Sequence, residues 1–143
     1  METVKDLMKT RKGEVYTINS SQTIYQALML LAEKNVGALP VLEERRLVGI
    51  ISERDYARKV ILKGASSLDT MVKKIMTERL ISVSPQTTLE ECLDIMTKHH
   101  IRHLPVVNKE DLVDFISLGD LVQQILEKKD RLITELSGAE PAD

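Results

Sequence analysis

The chain has no tryptophan, one phenylalanine and three tyrosines in 143 residues. So few rings exclude a stacking platform for single-stranded nucleic acid. A lone cysteine, Cys92, excludes an internal disulfide and a cysteine-rich zinc site, and fits a reducing compartment. Neither sign of charge dominates. The net charge is −2 and the pI about 6.0, so no global basic field draws in DNA or RNA. No apolar run reaches membrane-spanning length, and Met1 is followed by charged residues rather than a signal-peptide core. The expectation is a cytoplasmic protein with no nucleic acid and no membrane among its partners. A nucleophile elbow, a P-loop, a dinucleotide-type glycine run and a zinc pattern are also missing, so an enzyme is not expected. What is present is an apolar fraction of 43%, enough to bury one core, beside 29% charged residues.

The informative positive feature is a duplication. Thr17 to Val60 and Ser82 to Ile125 align without a gap at an offset of 65 residues. Ala38-Leu39-Pro40-Val41 answers His103-Leu104-Pro105-Val106, and Gly49-Ile50-Ile51-Ser52-Glu53-Arg54-Asp55 answers Asp114-Phe115-Ile116-Ser117-Leu118-Gly119-Asp120. A short helical stub precedes each copy: Val4-Lys5-Asp6-Leu7-Met8 and Val72-Lys73-Lys74-Ile75-Met76. A unit of about 55–60 residues is marginal as an independent fold, so each copy must pack on its twin.

The pattern within each copy predicts strand, helix, strand, strand, helix. In the first copy the strands are Val15–Ile18, Ala38–Leu42 and Leu47–Ile51. The helices are Thr23–Asn35, with Ile24, Ala27, Leu28 and Leu31 on one face, and Glu53–Lys63, closed by Gly64. The second copy predicts strands at Leu80–Val83, Leu104–Val107 and Leu112–Ile116. Its helices are Thr88–His100 and one from Ser117 past Glu127. The fold class is α+β, two repeats each with a mixed sheet and helices on one side. The expected division is 1–64 for the first repeat with the N-terminal stub, 65–130 for the second with a stub at 71–77, and 131–143 as a flexible tail.

Ser52 and Ser117 stand where a strand ends and a helix begins, and free backbone N–H groups point outward there. Asp55 and Asp120 follow three residues later, where a carboxylate can accept two hydrogen bonds from a cis-diol. The alternative is an ordinary N-terminal cap beside a dipole-favoured acid. Arg54 and Arg102 are candidate phosphate contacts or solvated surface charges. His99 and His100 are adjacent on a helix end, so with His103 they predict no metal site. Cys92 aligns with Ala27 on the core stripe and reads as a buried, inert thiol.

The apolar-Pro-Val strands and the junction Gly-apolar-apolar-Ser/Thr-x-x-Asp, each found twice, resemble the tandem CBS (cystathionine β-synthase) domain pair, or Bateman module. The resemblance covers residues 4 to about 128 and is closest to small stand-alone CBS-pair proteins. It implies two repeats related by a pseudo-twofold axis, with the Ser/Thr-x-x-Asp of one copy facing the first two strands of the other. Cleft one then joins Ser52, Arg54 and Asp55 to Ser82, Val83, Arg102, His103, Leu104 and Pro105. Cleft two joins Ser117 and Asp120 to Thr17, Ile18, Gly37, Ala38, Leu39 and Pro40. The implied ligand is an adenosine nucleotide acting as regulator, AMP before ADP or ATP, with no catalytic cofactor. NAD or S-adenosylmethionine sensing is one alternative, and a structural or dimerisation scaffold with unused clefts is another. A homodimer formed through helices and an unknown protein effector are the implied partners.

Cleft one carries Arg54, Arg102 and His103, the last a third cation when protonated. Cleft two has Leu118, Gly119, Gly37 and Ala38 at the corresponding positions, with Gly119 in the place of Arg54, and Asp114 adds negative charge near it. A phosphate-bearing ligand is therefore expected in cleft one.

Overall fold

The computed structural model describes residues 1–11, 14–64 and 66–138. In the first repeat a short strand β1 (Ile18–Asn19) leads into helix α2 (Ile24–Lys34), after the seven-residue N-terminal helix α1 (Val4–Thr10). Strands β2 (Ala38–Glu43) and β3 (Arg46–Ser52) follow. Helix α3 has three α-helical residues (Glu53–Asp55) and runs on as a wider π turn over Tyr56–Ile61. The second stub is a 3-10 turn at Val72–Lys74. Then come α4 (Leu89–His99), β4 (His103–Asn108), β5 (Asp111–Ser117) and α5 (Leu118–Ser137).

The repeats match in detail. β1 pairs parallel to β2, and β2 antiparallel to β3. β4 pairs antiparallel to β5, with a register irregularity at Val106/Val107 that copies the one at Val41/Leu42. Both hairpins turn through two residues of positive φ, Glu44-Arg45 and Lys109-Glu110. That geometry twists in the sense the strands need. Helices α2 and α4 end on Asn35 and His100, both left-handed, and begin on Thr23 and Thr88, whose hydroxyls accept from the third backbone N–H. The expected strands at 15–18 and 80–83 are shorter than the pattern implied. The first is reduced to Ile18–Asn19, and the second to one parallel bridge from Val83 to Val106. In each, one apolar residue (Ile18, Val83) is buried between half-buried or exposed neighbours.

Each repeat has its own apolar cluster, and the stubs cross between them. Val4 and Leu7 lie in the core of the second repeat with Leu89, Cys92, Met96 and Leu104. Val72 and Ile75 lie in the core of the first with Ile24, Leu31, Leu39 and Ile51. The backbone repeats the exchange. Val4 N–H donates to Thr87 and Leu89 N–H to Glu2, while Val72 N–H donates to Gln22 and Lys73 N–H to Ser20. The stub that precedes each repeat in the chain thus packs into the core of the other repeat. With β3 beside β5, the two repeats form one pseudo-twofold body.

Residues 131–137 continue α5 to a left-handed Gly138, because Leu132, Ile133 and Leu136 extend the helical spacing of Val122 and Leu126. Residues 139–143 lie outside the described residues. Among the described residues no helix is long and apolar enough to cross a membrane.

Candidate functional site: two unequal clefts

The strand-to-helix junction of each repeat is closed by a reciprocal cap. Ser52 Oγ accepts from Asp55 N–H at 3.1 Å, and Asp55 Oδ2 accepts from Ser52 N–H at 3.0 Å. Ser117 and Asp120 repeat this at 3.1 and 2.8 Å. Asp55 is only 8% exposed, and its other oxygen is engaged as well. Oδ1 accepts from Thr77 Oγ1 at 3.1 Å and lies 3.3 Å from Lys59 Nζ, which also donates to the Ile75 carbonyl at 2.9 Å. The cap reading and the ligand-facing reading are thus compatible: Ser52 holds one oxygen, and the other faces movable donors.

Above Asp55 a hollow of about 520 Å3 opens between the repeats. Ser52, Arg54 and Asp55 line it from the first repeat, Arg102 and His103 from the second. Arg58, Lys59, Thr77 and Arg79 join them, so five basic side chains face two carboxylates, Glu53 and Asp55. Ile50, Ile81 and Ile101 supply an apolar wall. Arg54, Arg58, Arg79 and Arg102 make no ion pair or side-chain hydrogen bond among the described residues. They are free to meet an anion.

His103 stacks on Phe115, with ring centroids 5.3 Å apart and planes 9° apart. Burial holds its pKa below the ordinary 6.5, with Arg102 pushing the same way and Asp120 pulling upward. Burial thus favours the uncharged ring, and His103 faces the hollow as an aromatic wall. Cys92 is fully buried, and burial, with Glu91 adding a little, pushes its thiol up to about 11.

Other expected cleft-one residues lie elsewhere. Val83 and Leu104 have their side chains in the core of the second repeat, Pro105 is buried, and Ser82 is exposed away from the hollow. The alternation of a strand sends consecutive residues to opposite faces, so a run such as His103-Leu104-Pro105 cannot line one cavity together.

The counterpart around Asp120 is a hollow of about 370 Å3, lined by Thr10, Arg11, Gln123, Gln124 and Glu127 among others. At the positions of Arg58, Lys59 and Leu62 it carries Gln123, Gln124 and Glu127. Arg11 spans it. Its Nη1 is 2.9 Å from Asp114 Oδ1 and donates to the Phe115 carbonyl at 3.1 Å, and its Nη2 is 3.8 Å from Asp120 Oδ2. The negative charge that Asp114 was expected to add near this cleft is paired with Arg11. Gly37 and Ala38, expected in cleft two, open on the first hollow instead, where the place for a Gly37 Cβ is 3.8 Å from the His103 ring. Ile18 and Leu39 lie in the first core, Pro40 is buried, and Thr17 lines neither hollow.

Sequence reasoning missed Arg58, Lys59, Thr77 and Arg79. Arg58 was signalled by its place one helical turn after Arg54. Thr77 and Arg79 follow the second stub, which crosses to the first repeat, and nothing in the one-dimensional pattern announces that. Among the described residues no group of three or more histidines, cysteines and acids could hold a metal ion.

Comparison with known proteins agrees with the duplication. The CBS domain pattern matches residues 4–62 and again 72–127, and the chain belongs to the CBS domain family. It is 39% identical over 121 residues to the CBS domain-containing protein YhcV of Bacillus subtilis, covering 85% of this chain and 84% of that one. It is 38% identical over 133 residues to the mitochondrial CBS domain-containing protein CBSX3 of Arabidopsis thaliana. That match covers 87% of this chain but 65% of the longer relative. A solved CBS-domain structure from Burkholderia ambifaria superposes with a TM-score of 0.84 at 41% identity, over 87% of this chain and 94% of that one. More distant neighbours include CBSX2 in complex with AMP (26% identity, TM-score 0.76, 89% and 98% covered). Another is the CBS pair of protein MJ0100 with 5-methylthioadenosine and S-adenosylmethionine (25%, 0.78, 90% and 98%). The chain is a CBS pair with no catalytic domain among its matched residues.

Proposed function

We propose that this protein is a regulatory sensor that binds an adenosine nucleotide, AMP first among them, in the cleft between its repeats. The observation that carries the reading is the convergence of five basic side chains on one hollow whose floor holds Asp55 and whose wall is apolar. Phosphate meets the arginines through charge-assisted hydrogen bonds. The base lies against Ile81 and Ile101, and the ribose diol exchanges with Thr77 and Lys59 at Asp55 Oδ1. AMP in CBSX2 and adenosyl ligands in MJ0100 support the class of ligand. The output passes to a protein effector or to a homodimer. Tyr25, Met29, Ile61 and Val122, exposed apolar side chains on the helices, support the dimer.

Titration calorimetry with AMP and adenosine tests the reading. A contact to a charged group is worth about 1.5–3 kcal/mol, so Arg54→Ala with Arg102→Ala weakens AMP by more than about a hundredfold and adenosine far less. Equal losses for the two ligands, or no binding of either by the parent protein at millimolar concentration, overturn it.

A further inference from the structure

The repeats differ chemically at one register position. Gly49 pairs with Val41, and Asp114 pairs with Val106 at the same place in the second hairpin. A Cβ on Gly49 would stand 2.6 Å from Met76 Sδ and 3.0 Å from the Thr77 carbonyl oxygen. Bare backbone therefore lets the second stub lie against β3, where Ile50 and Thr77 exchange both backbone hydrogen bonds at 3.0 and 2.8 Å. In the second repeat, among the described residues, no such bridge joins the first stub to β5. The Phe115 carbonyl, equivalent to that of Ile50, instead accepts from the Arg11 guanidinium, which Asp114 holds in place.

Arg11 stands three residues past Met8, and Arg79 stands three past Met76. They are the same residue of the two stubs in opposite states. The Arg11 side chain is 29% exposed and bound to a carboxylate and a carbonyl. Arg79 is exposed, makes no ion pair or hydrogen bond among the described residues, and lines the first hollow.

We propose that Asp114 selects the cleft: by capturing Arg11 it locks the second cleft against phosphorylated ligands, while Gly49 leaves Arg79 free to grip phosphate in the first. This rests on the first cleft being the nucleotide site. A phosphate entering the second hollow must break a 2.9 Å ion pair and then face Asp114, Asp120 and Glu127, with no second cation among the lining residues. In the first hollow it meets guanidinium groups with all their donors unspent.

Arginine-specific labelling with phenylglyoxal, read site by site by mass spectrometry, tests the lock in the intact protein. Arg79 reacts at least about tenfold faster than Arg11 in the parent protein, a factor of the order one charge-assisted hydrogen bond supplies. AMP slows Arg79 and leaves Arg11 alone. In Asp114→Gly, and in Asp114→Asn should glycine loosen β5, Arg11 rises to within a few-fold of Arg79 and AMP now slows both. Equal rates in the parent protein, an Arg11 rate unchanged in both variants, or a freed Arg11 that AMP still does not shield overturns the proposal. So does shielding of Arg11 in the parent. If AMP slows neither arginine in the parent, the nucleotide reading of the first cleft fails, and the lock is judged by the unliganded rates.

Discussion

Leu7 is 2% exposed and packs, with Val4, into the core around Cys92 and Leu89. Although Leu7 precedes the first repeat in the chain, Leu7→Ala should loosen the second. Truncating a buried leucine costs about 2–5 kcal/mol, through lost transfer energy and the cavity left behind. Cys92 reports on that core directly. It is fully buried, and with its thiol pushed up to about 11 only about one molecule in a thousand carries a thiolate at pH 8, so a disulfide reagent reaches it only through opening. Lowering the opening free energy by about 3 kcal/mol raises the labelling rate roughly a hundredfold. Ile75→Ala is the matched control. Ile75 is 5% exposed and belongs to the first core, so this variant should lose comparable stability in urea while leaving Cys92 labelling near the parent rate. If Ile75→Ala accelerates Cys92 labelling as much as Leu7→Ala, the crossed packing does not govern local opening and the reasoning fails.

Further outcomes follow from the same geometry. Gly49→Ala should cost about 1–3 kcal/mol in urea unfolding, because its Cβ meets Met76 Sδ at 2.6 Å and the bridged Thr77 carbonyl at 3.0 Å. Gly119→Ala, whose nearest contact is Ser117 Oγ at 3.7 Å, should be neutral or slightly stabilising. His103 is held below 6.5 chiefly by burial, so the unfolded chain takes up its proton first as pH falls. Stability from this group is full above pH 6.5 and declines as pH drops below it through the folded pKa. His103→Gln should flatten that part of the parent's urea-midpoint profile, and identical profiles would show that the ring is not held neutral.

Much of this architecture was legible because duplication makes each pattern its own control. Ile24, Ala27 and Leu31 announce a buried helical stripe, and Leu89, Cys92 and Met96 repeat it. Ser52 and Ser117 announce their caps by the acid three residues on. Three features leave no mark in the one-dimensional pattern. A repeat does not say which copy a stub will pack on, so Thr77 and Arg79 stayed invisible as cleft residues. Strand alternation sends the side chains of Leu104 and Leu39 into the cores, while their neighbours His103 and Ala38 line the first hollow. A charge read alone has no partner, so Asp114 looked like bare repulsion until Arg11 was seen beside it. The extension of α5 was written in Leu132, Ile133 and Leu136, but these are 53%, 54% and 80% exposed, and without a surface to bury them their spacing carried no weight.

The exchanged stubs have a consequence for any attempt to halve the molecule. Cutting between Gly64 and Thr70 would give two fragments, each holding the plug for its sibling's interior and lacking its own. Neither piece is a miniature of the whole. Two copies of one piece could still trade plugs around a true twofold axis.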